Sequence, residues 1–162
     1  MIIVVAIIVA GLYYIASNTL RKNDNFNKHE VCFNKMFEVS GLPLIELNVL
    51  NEKKWFLVDS GANVNLIKDE YVKSMGDKIK ALNNESSIFT GSESIRTDEC
   101  YIELGYKKTK FGSHRFCIGD LNAFSQNRDV WGVDVIGILG GGFFEEQAWT
   151  ICFDKMKLYI KK

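Results

Sequence analysis

A chain of 162 residues has the length of one domain, with room for a tail or an anchor. A hydrophobic share of 47% and a charged share of 25% are those of a protein with a real core. Lysine plus arginine and aspartate plus glutamate stand at 20 each, so no basic excess exists to neutralise phosphates, which argues against a nucleic-acid partner.

At the amino terminus, Ile2 to Ala16 are uncharged, and Ser17 to Leu20 add only polar neutrals before Arg21 and Lys22. An uncharged run over residues 2–20 approaches the ~20 residues a helix needs to cross a hydrocarbon core. A cleaved signal peptide would carry basic residues ahead of the run and a small-x-small site after it. A buried core helix would show a polar stripe, and this stretch is apolar all round. The expectation is therefore a membrane-anchoring helix over 2–20. Arg21 and Lys22 favour a cytoplasmic domain by the positive-inside rule. Residues 21–36 are polar and aperiodic, and predict a tether.

From Phe37 onward the pattern is that of short strands. Ile45, Leu47 and Val49 alternate with Glu46 and Asn48, the period of a half-buried strand. Asn51 to Lys54 predict a turn and Trp55 to Val58 a second, more buried strand. Lys68 to Met75 predict a short helix ending at Gly76. Ser87 to Phe89 and Ile95 to Leu104 bracket Thr90-Gly91-Ser92-Glu93, the layout of a hairpin with a glycine tip. Thr109 to Ile118 predict a strand interrupted at Gly112, and Val135 to Leu139 a short apolar strand running into Gly140-Gly141-Gly142. Phe143 to Gln147 predict a helical turn. Trp149 to Phe153 and Lys157 to Ile160 close the chain as strands about a turn at Asp154-Lys155. Many short strands with small turns predict a mainly-β, closed or sandwich-like domain over 37–162.

The chemistry-bearing stretch is Trp55 to Ile67, WFLVDSGANVNLI. An apolar strand delivers the carboxylate of Asp59 to a tight loop. Ser60 can hydrogen-bond locally there, and Gly61 lets the backbone approach closely. With Ala62 and the apolar pair Leu66-Ile67 behind it, the stretch resembles the apolar-apolar-Asp-Ser/Thr-Gly-Ala signature of the retropepsin-like aspartic protease family. Ile136-Gly137-Ile138-Leu139-Gly140 is similar to that family's apolar-apolar-Gly segment. Trp149 to Ile160 resembles its terminal strand pair, and Thr90-Gly91-Ser92 falls where it carries a flap. The resemblance spans roughly residues 37–161. Ser60 stands where threonine is commoner, and Gly140-Gly141-Gly142 is richer in glycine than the family's pattern.

The resemblance implies a mainly-β acid-protease barrel with one short helix after the apolar-Gly strand. It implies Asp59 as catalytic acid or base, and Ser60, Gly61 and Ala62 as supports of its loop. Thr90, Gly91 and Ser92 would form the flap, and Ile138, Leu139 and Gly140 the strand beside the site. The substrate would be an extended peptide, with no metal and no cofactor. Two carboxylates must share one water in this chemistry, and the chain has one Asp-Ser-Gly. A homodimer with Asp59 from each subunit on the axis follows. Asp134 lacks a hydroxyl-glycine pair after it and reads as a structural loop residue. The alternative is a catalytically silent, membrane-tethered β-domain that binds peptide or protein partners. Against it stands the cost of burying a carboxylate without a chemical use.

The remaining polar residues carry weaker signals. His29 and His114 stand alone and predict surface positions, as do Glu145, Glu146, Lys161 and Lys162. Ser60 lacks the Gly-x-Ser-x-Gly context of a hydrolase nucleophile. Cys32, Cys100, Cys117 and Cys152 form no C-x-x-C pair, so a structural zinc site is not expected. Their wide spacing fits free thiols, with one or two bridges left open in an oxidising compartment.

Overall fold

A computed structural model describes residues 28–89 and 94–161. The chain opens with strand β1 (Lys28–Cys32), helix α1 (Asn34–Ser40) and the hairpin β2 (Leu44–Val49) and β3 (Glu52–Val58). Strand β4 (Leu66–Lys68) runs directly into α2 (Asp69–Met75). Three long strands follow: β5 (Ala81–Phe89), β6 (Ser94–Tyr106) and β7 (Thr109–Gly119). Two single-turn helices, α3 (Asn122–Ser125) and α4 (Arg128–Trp131), lead to β8 (Val135–Leu139) and α5 (Gly141–Glu146). Strands β9 (Thr150–Cys152) and β10 (Lys157–Lys161) end the chain.

The fold is mainly β. A seven-stranded sheet has the order β2-β3-β8-β4-β7-β6-β5. Strand β2 also pairs with β6, Asn48 opposite Gly105 and Val49 opposite Leu104. That pairing closes the sheet into a barrel and leaves β5 outside, bonded to β6. Closure matters because it removes sheet edges that would otherwise recruit another chain. A second sheet of three strands, β1-β10-β9, packs Val31, Leu158 and Ile160 into the main core.

Local sequence explains the turns. Val49 pairs with Glu52, so the β2–β3 turn is only Leu50-Asn51, and both residues have positive φ, 49° and 68°. A two-residue loop with both φ values positive matches the right-handed twist of its strands. The turn therefore sits earlier than the expected Asn51–Lys54, and Glu52 to Lys54 belong to β3. Strand β7 is continuous through Gly112, whose φ of 93° accommodates an irregularity where the β6–β7 register shifts at Leu104/Gly105.

The expected tether is ordered structure from Lys28 onward. Residues 28–32 are β1, antiparallel to β10 from Lys28↔Lys161 to Cys32↔Lys157, and Asn34 to Met36 open α1. Among the described residues no helix is long and apolar enough to cross a membrane. The expected anchor at 2–20 and the expected flap residues Thr90, Gly91 and Ser92 lie outside the described residues. All four cysteines are free, with Cys100 and Cys117 buried.

Candidate active site

Strand β3 is buried at Phe56, Leu57 and Val58, and delivers Asp59 half-buried at the barrel surface, with Ser60 and Gly61 exposed. Main-chain bonds fix the loop. The Asp59 N–H donates to the Leu139 carbonyl at 3.0 Å, and the Ala62 N–H donates to the Asp59 carbonyl at 3.1 Å. The carboxylate of Asp59 accepts from the Gly61 N–H through Oδ1 at 2.9 Å. Gly141 N–H donates to the Ala62 carbonyl at 2.8 Å, so the start of α5 is stitched to the far side of the same turn.

Gly140 leaves no room for a side chain, and Gly141 leaves little. A Cβ on Gly140 would lie 2.8 Å from the Ala62 carbonyl oxygen, and one on Gly141 would lie 3.1 Å from that of Ser60. Two backbones thus pass in direct contact, which is why Ile138-Leu139-Gly140 and Asp59-Ser60-Gly61-Ala62 come together as one unit. A residue that sequence reasoning passed over completes it. Asn65 Oδ1 accepts from the Gly140 N–H at 2.9 Å, while its Nδ2 donates to the Arg115 carbonyl at 3.0 Å. An asparagine just past a turn gives no sequence cue to so central a position.

His114 is not a surface residue; it is 4% exposed. Its Nε2 lies 3.1 Å from the Phe111 carbonyl oxygen, its Nδ1 3.4 Å from Glu146 Oε2, and its ring 4.8 Å from that of Phe143. Acceptors at both ring nitrogens and an aromatic face explain why a lone histidine points inward. The imidazole bridges β7 to α5, the helix behind Gly140. Glu145 and Glu146 are exposed as expected. A hollow of about 320 Å³ beside the loop is lined by Asn63, Val64, Asn65, His114 and Arg115 among others, and not by Asp59. Next to it, buried Glu99 accepts from the Ser86 hydroxyl and faces Arg115.

No family model matches the sequence, and no curated protein matches it. Solved structures do match. The chain is similar to a retropepsin-like aspartic protease from Rickettsia conorii, with a TM-score of 0.54 and 18% identity, covering 84% of this chain and 91% of that one. It is similar to the retroviral protease-like domain of Ddi1 from Leishmania major, with a TM-score of 0.50 and 10% identity over 74% of this chain and 92% of the other. EIAV protease, complexed with the inhibitor HBY-793, matches with a TM-score of 0.51 and 12% identity over 76% of this chain and 100% of its own. The fold is retropepsin-like.

In this retropepsin-like fold the segment between β7 and β8 folds as α3 and α4, and a second apolar cluster forms beneath it. Leu121 is buried there with Leu44, Leu57, Val135 and Ile138, while Phe124, Trp131 and Val133 pack against them partly buried. Lys68, at the end of β4, is also buried. Its Nζ donates to the Ser125 hydroxyl at 2.6 Å and lies 3.5 Å from Asp134 Oδ1 and 3.2 Å from Glu70 Oε2. Asp134 is thus the partner of a buried ammonium, a loop residue with a structural contact.

Proposed function

We propose that the chain is one subunit of an aspartic endopeptidase whose active site is completed by a second copy, with the two Asp59 carboxylates facing each other across one water. The observation that carries this reading is the aim of Asp59. Its loop is held by main-chain bonds to Leu139 and Gly141, yet Asp59 is only half-buried and its Ser60-Gly61 neighbours are exposed. A rigid, half-open carboxylate is poised for a partner.

The chemistry follows from proximity. Two carboxyl groups at hydrogen-bonding distance cannot both ionise, and share one proton; aspartic proteases are themselves the standard case of this behaviour. The ionised Asp59 takes a proton from the water as it attacks the peptide carbonyl carbon. The protonated Asp59 of the other copy donates to the carbonyl oxygen. The resulting tetrahedral species collapses with proton transfer to the leaving amine, so no covalent enzyme intermediate is needed. Ser60 holds the paired loops, and Gly61 allows their close approach. The substrate is an extended polypeptide that adds as a strand, with Thr90, Gly91 and Ser92 at the β5–β6 tip as its cover. Residues 2–20 anchor the subunit in a membrane, the domain lying on the cytoplasmic side.

The deciding experiment is cleavage of an unstructured protein by the full-length chain. Asp59→Asn keeps the shape and removes the titrating oxygen, and should lower the rate by roughly a thousandfold or more. Undiminished cleavage by Asp59→Asn removes this residue from the mechanism.

A further inference from the structure

We propose that His114 is a positioning residue of the Asp59 site: its imidazolium pins α5 to β7, so the catalytic loop is held most firmly at acidic pH and loosens as the ring gives up its proton. This role rests on the aspartic-protease reading above.

Two ties join β7 to the segment behind the loop. Asn65 makes the first, donating to the Arg115 carbonyl at 3.0 Å and accepting from the Gly140 N–H at 2.9 Å. His114 makes the second, at the far end of α5, where its Nδ1 stands 3.4 Å from Glu146 Oε2. Its ring also packs on Phe143 of that helix, 4.8 Å between centroids. Helix α5 has only the six residues Gly141–Glu146, so a hold on its last residue reaches its first. Gly141 is that first residue, and its N–H donates to the Ala62 carbonyl, at the far side of the Asp59 turn. The contacts close a circuit, from β7 through Asn65, Gly140, α5 and His114 back to β7, with the catalytic turn bonded to the middle of it.

The surroundings of the ring select its charge state. A neutral imidazole offers one N–H and one lone pair, an imidazolium two N–H groups. Oxygen acceptors stand at both nitrogens, the Phe111 carbonyl 3.1 Å from Nε2 and Glu146 Oε2 beyond Nδ1. The Gln147 amide is a donor 3.5 Å from Nε2, farther off than that carbonyl. A neutral ring turned to accept from it therefore leaves the Phe111 oxygen unmatched. Only the imidazolium satisfies both oxygens. The other charges at this hollow answer each other, Arg115 from β7 facing Glu99 from β6 at 3.6 Å. Tyr101 and Cys117, which also line it, are side-chain types without charge at neutral pH. Glu146 is thus the counter-charge of the ring. The tie is complete while the ring is charged and is lost as pH rises through its titration, which histidines ordinarily undergo between about pH 5 and 8.

The test takes two readouts from the full-length chain in detergent. Amide NMR follows the Gly140 and Gly141 N–H groups while the His114 ring is titrated between about pH 5 and 8. In wild type both amides should move in step with the ring. In Glu146→Gln, a change at an exposed position, they should stop following it. Amides that ignore the ring in wild type, or follow it equally in Glu146→Gln, overturn the clamp. The second readout is kcat against pH on one peptide. His114→Gln and Glu146→Gln should each be about twofold to fivefold slower than wild type at about pH 5, the scale of an ion pair with one exposed partner, and should converge with it at about pH 8. A deficit of equal size at both ends of that range makes His114 a packing residue only and overturns the role of its charge. Where His114→Gln fails to fold, Glu146→Gln carries both comparisons. If wild type cleaves no peptide, or Asp59→Asn cleaves as fast as wild type, the protease reading has failed, and the amide titration still decides whether the clamp exists.

Discussion

Gly140 shows how much of the site depends on a missing side chain. With the Ala62 and Val64 carbonyl oxygens occupying the space a Cβ would take, Gly140→Ala has to push two backbones apart. Overpacking of this kind costs about 1–3 kcal/mol or more, and thermal unfolding of the variant should show it, together with lost cleavage from a displaced Asp59. Tyr71 and Cys100 make a different residue-scale prediction. The Tyr71 hydroxyl is buried without a hydrogen-bond partner, and burial, with Glu52 adding to it, pushes its pKa from 10.0 up to about 12. Burial first, then Cys117 and Glu99, pushes the Cys100 thiol from 9.0 up to about 11. Both groups stay neutral in the fold at a pH where the unfolded chain has already released their protons. Their contribution to stability is complete below the unfolded values and drains away as pH climbs from about 9 towards 12. Melting temperature against pH should fall across that window. Tyr71→Phe should remove the upper part of the decline, at a neutral-pH cost within about 1 kcal/mol because an orphan hydroxyl is lost.

Among the elements, β10 has the largest structural duty for its size. It lies between β1 and β9, and Leu158 and Ile160 are fully buried. Leu158→Ala should cost about 2–5 kcal/mol, read as a lowered denaturation midpoint. This strand also shows what was legible beforehand. Its alternation, like that of β2, was plain in the residues, and so were β8 and the Asp59 turn, because burial of one or both faces imposes a local pattern. Strand β1 was not. Lys28 to Cys32 are polar apart from Val31 and Cys32, and their partner lies at the other end of the chain, at Lys161 to Lys157. Periodicity within a window has no access to such a pairing. Leu50 at positive φ hid the β2–β3 turn for the opposite reason, since a leucine there carries no turn signal. His114, Asn65 and Lys68 escaped because each is defined by partners from distant strands and helices. The Asp59 loop could be named from its own residues; the groups that brace it could not.

For the whole molecule, the proposed sharing of one site by two copies makes concentration a control on chemistry. If two copies build one site, cleavage by the detergent-solubilised full chain should fall more steeply than enzyme concentration once dimers dissociate. With the proposed anchor at 2–20, the same chain reconstituted in vesicles should resist that loss, since confinement to a bilayer raises effective concentration. Strict proportionality down to concentrations where sizing detects only monomer counts against the shared site. The way Asp59 is aimed has a consequence on a longer timescale. Asn65 apart, the bonds that set its loop join main chain to main chain or return to the aspartate itself. Such bonds are blind to the identity of the side chains around them. Mutation can therefore drift through most of the barrel while the carboxylate keeps its bearing, and shape outlasts sequence among proteins built on this plan.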